Sequence, residues 1–155
     1  MAFSSLAEID SYMKENTCEF WEAVIREEAR DSQQPEMDIV NRMTQMYRAM
    51  KEADETYDDT LTSHSGLSGK NGKRMADYAA THKCMCGEFG GAVMARAIKM
   101  AESNACMKRI VAAPTAGSCG VVPAILITYE RMTNTSENDM VKALFVAAGI
   151  GEVIA

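Results

Sequence analysis

An all-α fold is predicted for this chain by three observations. Apolar residues recur at helical spacing through most of its length, the connecting segments carry helix-capping residues, and the one β-like stretch, Val111-Ala112-Ala113, has no convincing partner strand. With 155 residues and 47% hydrophobic content, the chain can build the core of one ordinary domain, or of part of one.

Each helix is justified by its own signals. Ser5-Leu6-Ala7-Glu8 fits a capping box, in which a hydroxyl and a carboxylate satisfy free backbone N–H groups, and predicts a short helix to about Glu15. Asn16 or Thr17 is placed to cap a second helix, to about Asp31, with Phe20, Trp21, Val24, Ile25 and Ala29 on one face. Pro35 suits the first turn of a third, where its missing N–H is harmless; Val40, Met43, Tyr47 and Met50 form its stripe to about Glu55. The methionines are read as packing filler. From Tyr57 to Gly72 the pattern breaks into Asp, Thr, Ser and Gly, a loop. Lys73 to Thr81 is weakly helical. Gly90 to Asn104 is strongly so, and Ala92, Ala95, Ala97 and Ala101 give it small faces for close packing. A loop from Ile110 to Gly120 leads into an apolar segment, Val121 to Met132, that Pro123 marks as a helix start. Ser136-Glu137-Asn138-Asp139 resembles a second capping box, before Met140, Val141, Leu144, Phe145 and Ala148. The last helix is still apolar at Val153-Ile154-Ala155, so the sequence reads as severed inside an element.

Composition narrows the function. Residues 1–60 hold 15 acidic and 6 basic side chains, a balance of −9, which leaves +3 for the remainder of a chain whose net charge is −6. Such a first half offers no basic face for phosphates, which argues against nucleic-acid binding. No apolar run approaches the roughly 18 residues of a membrane span, and the first residues lack a signal-peptide pattern; a cytoplasmic location is expected. The odd count of cysteines, five, makes a disulfide framework a poor reading.

Chemistry is concentrated in two loops. Ala113-Pro114-Thr115-Ala116-Gly117-Ser118-Cys119-Gly120 sets small and hydroxyl-bearing residues just before a helix start, where free N–H groups and the helix dipole favour an anion. The plain alternative is an ordinary interhelical connection with capping hydroxyls, and pattern alone favours it. His64 and His82 are the only histidines, and a catalytic base is a natural role for one of them. His64 is preferred for its loop, whereas His82 reads as a solvated surface residue. Cys84-Met85-Cys86 is a lone C-x-C without the second pair of a zinc site. Cys119 reads as a small buried hydrophobe, and Cys18 and Cys106 as packing residues within helices.

The run Glu102-Ser103-Asn104-Ala105-Cys106-Met107-Lys108-Arg109-Ile110-Val111-Ala112-Ala113-Pro114-Thr115-Ala116-Gly117-Ser118-Cys119-Gly120-Val121-Val122-Pro123 resembles the signature of bacterial iron-sulfur L-serine dehydratases. Ser63-His64-Ser65-Gly66-Leu67-Ser68-Gly69 is similar to that family's Ser-x-x-Gly-Leu-[Ser/Thr]-Gly element, which usually continues Gly-Asp where this chain has Lys70-Asn71. Ala147-Ala148-Gly149-Ile150-Gly151 agrees as well.

The resemblance implies that residues 1–155 are the N-terminal portion of an all-α catalytic domain that converts L-serine to pyruvate and ammonia. It implies an oxygen-sensitive [4Fe-4S] cluster, no pyridoxal phosphate, and an open iron acting as a Lewis acid on the substrate hydroxyl. The family's cluster cysteines are expected beyond Ala155, so no metal ligand is assigned here. Substrate contacts are expected from Ser63, Ser65, Gly66, Asn104, Thr115, Gly117 and Ser118, with His64 as the catalytic base. A beta subunit or domain is the expected partner, with homo-oligomerisation, and no nucleic acid or membrane. Two rivals stay open: a related enzyme acting on threonine or cysteine, and a non-catalytic helical module that holds a partner.

Overall fold

The computed structural model describes residues 3–81 and 83–154. Among them the chain is helical, with no strand: α1 (Leu6–Asn16), α2 (Phe20–Ser32), α3 (Glu36–Glu55), α4 (Asn71–Ala79), α5 (Gly87–Ala105), α6 (Val121–Thr133) and α7 (Glu137–Ile154). The predicted all-α class holds. Two compact units divide the chain, one of residues 1–46 with 136–155 and one of residues 47–135; the boundary falls inside α3.

In the first unit α1 packs on α2 and α2 on α7. Its buried side chains include Ile9, Ala23, Val24, Ile25, Ile39, Met140, Val141, Leu144 and Phe145; the sequence pattern marks Val24, Ile25, Met140, Val141, Leu144 and Phe145 among them, but not Ile9, Ala23 or Ile39, while Phe20, Trp21, Ala29, Val40 and Met43, also marked, are only half-buried. Gly149 lets α7 approach α2 closely, for a Cβ there would lie 2.5 Å from Val24 Cγ2. Local capping departs from expectation in two places. Ser5 Oγ accepts from Glu8 N (3.2 Å) as predicted, but the Glu8 carboxylate turns back to Ser4, accepting from its N (2.6 Å) and Oγ (2.8 Å). Thr17 ends α1 in a left-handed conformation instead of starting α2; α2 is opened by Glu19, whose N–H donates to Glu22 Oε2 (2.8 Å). An acidic pair thus supplies the cap that the sequence reading sought in Asn16 or Thr17.

The second unit holds the end of α3 with α4, α5 and α6, and α5 packs against both α4 and α6. Tyr47, Met50, Ala53, Ala95, Met100, Cys119, Ala124 and Ile127 are buried. A nearly buried ion pair joins α3 to α5, with Arg96 Nε donating to Asp54 Oδ2 (3.0 Å). Arg96 NH1 also donates to Thr128 Oγ1 (2.9 Å) on α6, so the guanidinium ties three helices with its planar fork.

Cys18 and Cys106 lie outside the helices, between α1 and α2 and at the end of α5. Neither is core: both are half-buried, whereas Cys119 is buried as expected. Met50 and Met100 pack inside, but Met37, Met85 and Met107 stand in solvent, so packing does not account for every methionine. His82 lies outside the described residues.

Candidate functional site

Both predicted loops are fastened to the last turn of α5. Glu102 lies seven residues after buried Ala95, on the same face of the helix, and is itself buried. Its carboxylate accepts from Asn71 N (2.8 Å) and Gly72 N (3.0 Å), the first N–H groups of α4, and from the Tyr57 hydroxyl (2.7 Å). A carboxylate thus fills the positive end of α4 and fixes both ends of the 57–72 loop. Burial pushes the Glu102 carboxyl up, but the bonds from Tyr57, Gly72 and Asn71 outweigh it and hold the group below its ordinary range. Burial and the neighbouring carboxylate push the Tyr57 phenol up to about 12.

Two residues further along, Asn104 Nδ2 donates to the Ala116 carbonyl (2.9 Å). Ala116–Ser118 form a single 3-10 turn opened by Thr115. Thr115 Oγ1 accepts from Ser118 N (3.2 Å), and the two hydroxyls pair at 2.7 Å. Thr115 and Gly117 are exposed and Ser118 is half-exposed. The next helix, α6, presses close to α5 at Gly120, where a Cβ would meet the Ala97 carbonyl oxygen at 2.5 Å. Gly120 is the N-cap of α6 and makes no side-chain cap bond.

The 63–69 loop closes on itself. Ser63 N donates to Ser68 O (2.8 Å) and Gly66 N to Ser63 O (2.8 Å). Ser68 N donates to Ser63 Oγ (3.1 Å), which also pairs with Ser65 Oγ (3.1 Å). Ser63 is buried and its hydroxyl braces the loop; His64, Ser65 and Gly66 are exposed on it. Gly66 has φ +73°, a left-handed conformation that suits glycine.

Among the described residues no hydrogen bond joins the two loops directly; α5 is their common support. Glu102 and Tyr57 were not singled out from sequence. The available signal was a glutamate on the buried face of an alanine-rich helix, where an unpaired carboxylate would be costly and a partner is therefore required.

The cysteines do not assemble a cluster site. Among the described residues no three His, Cys, Asp or Glu side chains group to hold a metal, and burial pushes the Cys119 thiol up, away from the thiolate a metal needs. A cleft of about 350 Å³ in the first unit, lined among others by Val24, Ile39, Met43 and Phe145, contains none of the predicted site residues. No helix among the described residues is long and apolar enough to cross a membrane.

The architecture is thus an all-α module that carries two hydroxyl-rich loops on one helix turn. Residues 15–155 match the family described as serine dehydratase alpha chain, and the chain belongs to that family. It is 29% identical over 153 residues to a probable L-serine dehydratase, alpha chain, of Bacillus subtilis (strain 168), covering 99% of this chain and 51% of the relative. It is 32% identical over 150 residues to the L-serine dehydratase, alpha chain, of Peptoniphilus asaccharolyticus, covering 95% and 51%. A shorter match, 42% identical over 53 residues, joins 34% of the chain to 12% of L-serine dehydratase 1 of Escherichia coli (strain K12). The chain spans about half the length of the first two relatives. No solved structure gives a significant match.

Proposed function

We propose that this chain is the N-terminal portion of the catalytic domain of an L-serine dehydratase, and that loops 63–69 and 114–120 line its serine pocket. The observation that carries the reading is the pair Glu102 and Asn104, which fastens both loops to one turn of α5. Loops held on a rigid helix can keep reacting groups in a fixed geometry.

Elimination from serine removes the α-proton and expels the β-hydroxyl; the aminoacrylate formed tautomerises to an imine, and water hydrolyses it to pyruvate and ammonia. In this reading Gly117 and Ser118 meet the serine carboxylate or hydroxyl through backbone and side chain. Thr115 orients Ser118, Asn104 positions the turn that carries it, and Ser63, Ser65 and Gly66 shape the opposing loop. His64 takes the α-proton, a role that imidazole suits near neutral pH. The five cysteines do not fit a [4Fe-4S] cluster, so this reading places its ligands outside these 155 residues, without pyridoxal phosphate. Free thiols suit a reducing, cytoplasmic setting, and a beta subunit or domain is the proposed partner.

The test is anaerobic expression of the complete dehydratase with its partner, reconstitution with iron and sulfide, and measurement of pyruvate formed from L-serine. Ser118→Ala should lower kcat/KM about tenfold or more, the worth of one hydrogen bond to a charged group. His64→Ala should lower kcat by roughly 10²–10⁴. Unchanged turnover and serine affinity in Ser118→Ala would remove that assignment, and no pyruvate from the reconstituted protein would remove the reaction.

A further inference from the structure

We propose that the outer face of α6 is an internal docking face, covered in the complete alpha chain by the half of that chain that follows residue 155. The proposal rests on the reading of these residues as the N-terminal portion of a longer catalytic domain. Helix α6 packs against α5, and Pro123, Ala124, Ile127 and Thr128 are buried. Val121, Ile125, Tyr129 and Met132 are 44–48% exposed, and their spacing of four, four and three residues aligns them as one stripe along the helix. From Val121 to Tyr129 the sequence has no charged residue. The two charges of α6 follow, and both are spent on α3: Glu130 pairs with Lys51 (3.3 Å), and Arg131 with Asp54 (3.2 Å) and Glu55 (3.4 Å). A helix that is apolar all round belongs in an interior, whereas a surface helix turns a polar face to water.

Size and position select the occupant. The stretch shared with the two alpha-chain relatives covers 51% of each, so a segment of comparable length is available to cover the stripe. A second copy fits less well, because a stable homodimer buries roughly 20–30 residues a side and the stripe offers four side chains. A segment of the same chain needs no such area, since its tether spares it the translational freedom that separate chains lose on association. The stripe also begins three residues after Ser118, beside the turn that exposes Thr115 and Gly117. Docking there brings the second half, to which the serine-dehydratase reading assigns the cluster ligands, next to that turn. The uncharged stripe calls for an apolar surface on the segment that covers it.

The experiment is hydroxyl-radical footprinting of the complete alpha chain, each side chain's oxidation being compared with its own rate in the urea-unfolded chain. Tyr129 and Met132 should be protected as fully as Met50 and Met100, which are 1% exposed, without the beta partner and unchanged on serial dilution. Oxidation at the rate of half-exposed side chains would overturn the proposal. So would protection that is lost on dilution, the mark of a second copy, or that appears only when the beta partner is added. Ile125→Asp in the complete chain should lower the melting temperature by roughly 6 °C or more, the effect of burying a charge; a shift of less than about 2 °C is that of a solvent-facing site and counts against docking. The footprint needs no variant, so it decides the matter even where Ile125→Asp fails to fold. Pyruvate formed from L-serine by the same preparation separates the two readings: turnover with an oxidised stripe sinks the docking face alone, and a protected stripe without turnover sinks the serine reading alone.

Discussion

The beginnings of α4 and α6 are built alike and finished differently. Each follows a loop rich in glycine and hydroxyls, and each presses a glycine against α5: a Cβ on Gly72 would meet Lys99 Cγ at 2.6 Å, and one on Gly120 would meet Ala97 O at 2.5 Å. At α4 the free N–H groups are consumed by the Glu102 carboxylate. At α6 the N-cap is Gly120, which has no side chain to offer them, and the preceding turn presents Thr115, Gly117 and Ser118 toward solvent. The same local chemistry is closed by a buried carboxylate at one helix start and left exposed at the other. A glycine- and serine-rich loop before a helix is therefore a site only when the protein has not already filled it.

Five substitutions sharpen this contrast. Gly120→Ala forces a side chain onto the backbone of α5 and should cost about 3 kcal/mol, the upper range of overpacking; Gly117→Ala, whose nearest neighbour is Thr115 Oγ1 at 3.9 Å, should change stability by less than about 0.5 kcal/mol. Urea denaturation of the chain reads both, and equal effects would break the distinction between the buried glycine and the open one.

Glu102→Gln should cost about 2 kcal/mol through lost charge-assisted bonds at α4. Because the folded carboxyl is held below its ordinary value, the stability it contributes is present above the unfolded-state value and lost as pH falls through the folded one. The gap between wild type and Glu102→Gln should therefore be widest near neutrality and close in acid. Tyr57→Phe removes one hydrogen bond from the same carboxylate and should cost about 1 kcal/mol. The phenol is raised from 10.0 to about 12, so its contribution is present below pH 10 and fades as pH rises through that window, which alkaline denaturation curves can follow. The remaining effect is a gain. Lys70 opens α4 with φ 67°, and Lys70→Gly should stabilise by about 0.5 kcal/mol. Relief of roughly 1–2 kcal/mol of left-handed strain is partly offset by glycine's entropy.

The fold was more legible than the site. Helix periodicity is written in residues such as Val24, Tyr47 and Leu144, whose burial follows from spacing alone, and Pro123 marked the start of α6. Caps were harder to read, because a glutamate such as Glu19 can replace the expected Asn16 or Thr17. At the site, the sequence pointed to the hydroxyl loops but not to what holds them. Asn104 was marked as a substrate contact, and its amide is engaged with Ala116 O; Ser63, similarly marked, braces its own loop. Partnerships such as Glu102 with Tyr57 join residues 45 apart in sequence, and no local pattern reports them.

Glu102 and Asn104 are separated by about 200° around the axis of α5, nearly opposite points on its circumference. A helix gripping two loops in this way behaves as a spindle. Sliding it along its axis carries both attachments in one direction, while twisting it swings them in opposite senses. Both motions leave the two attachment points the same distance apart, so a rigid α5 acts as a fixed spacer between the loops.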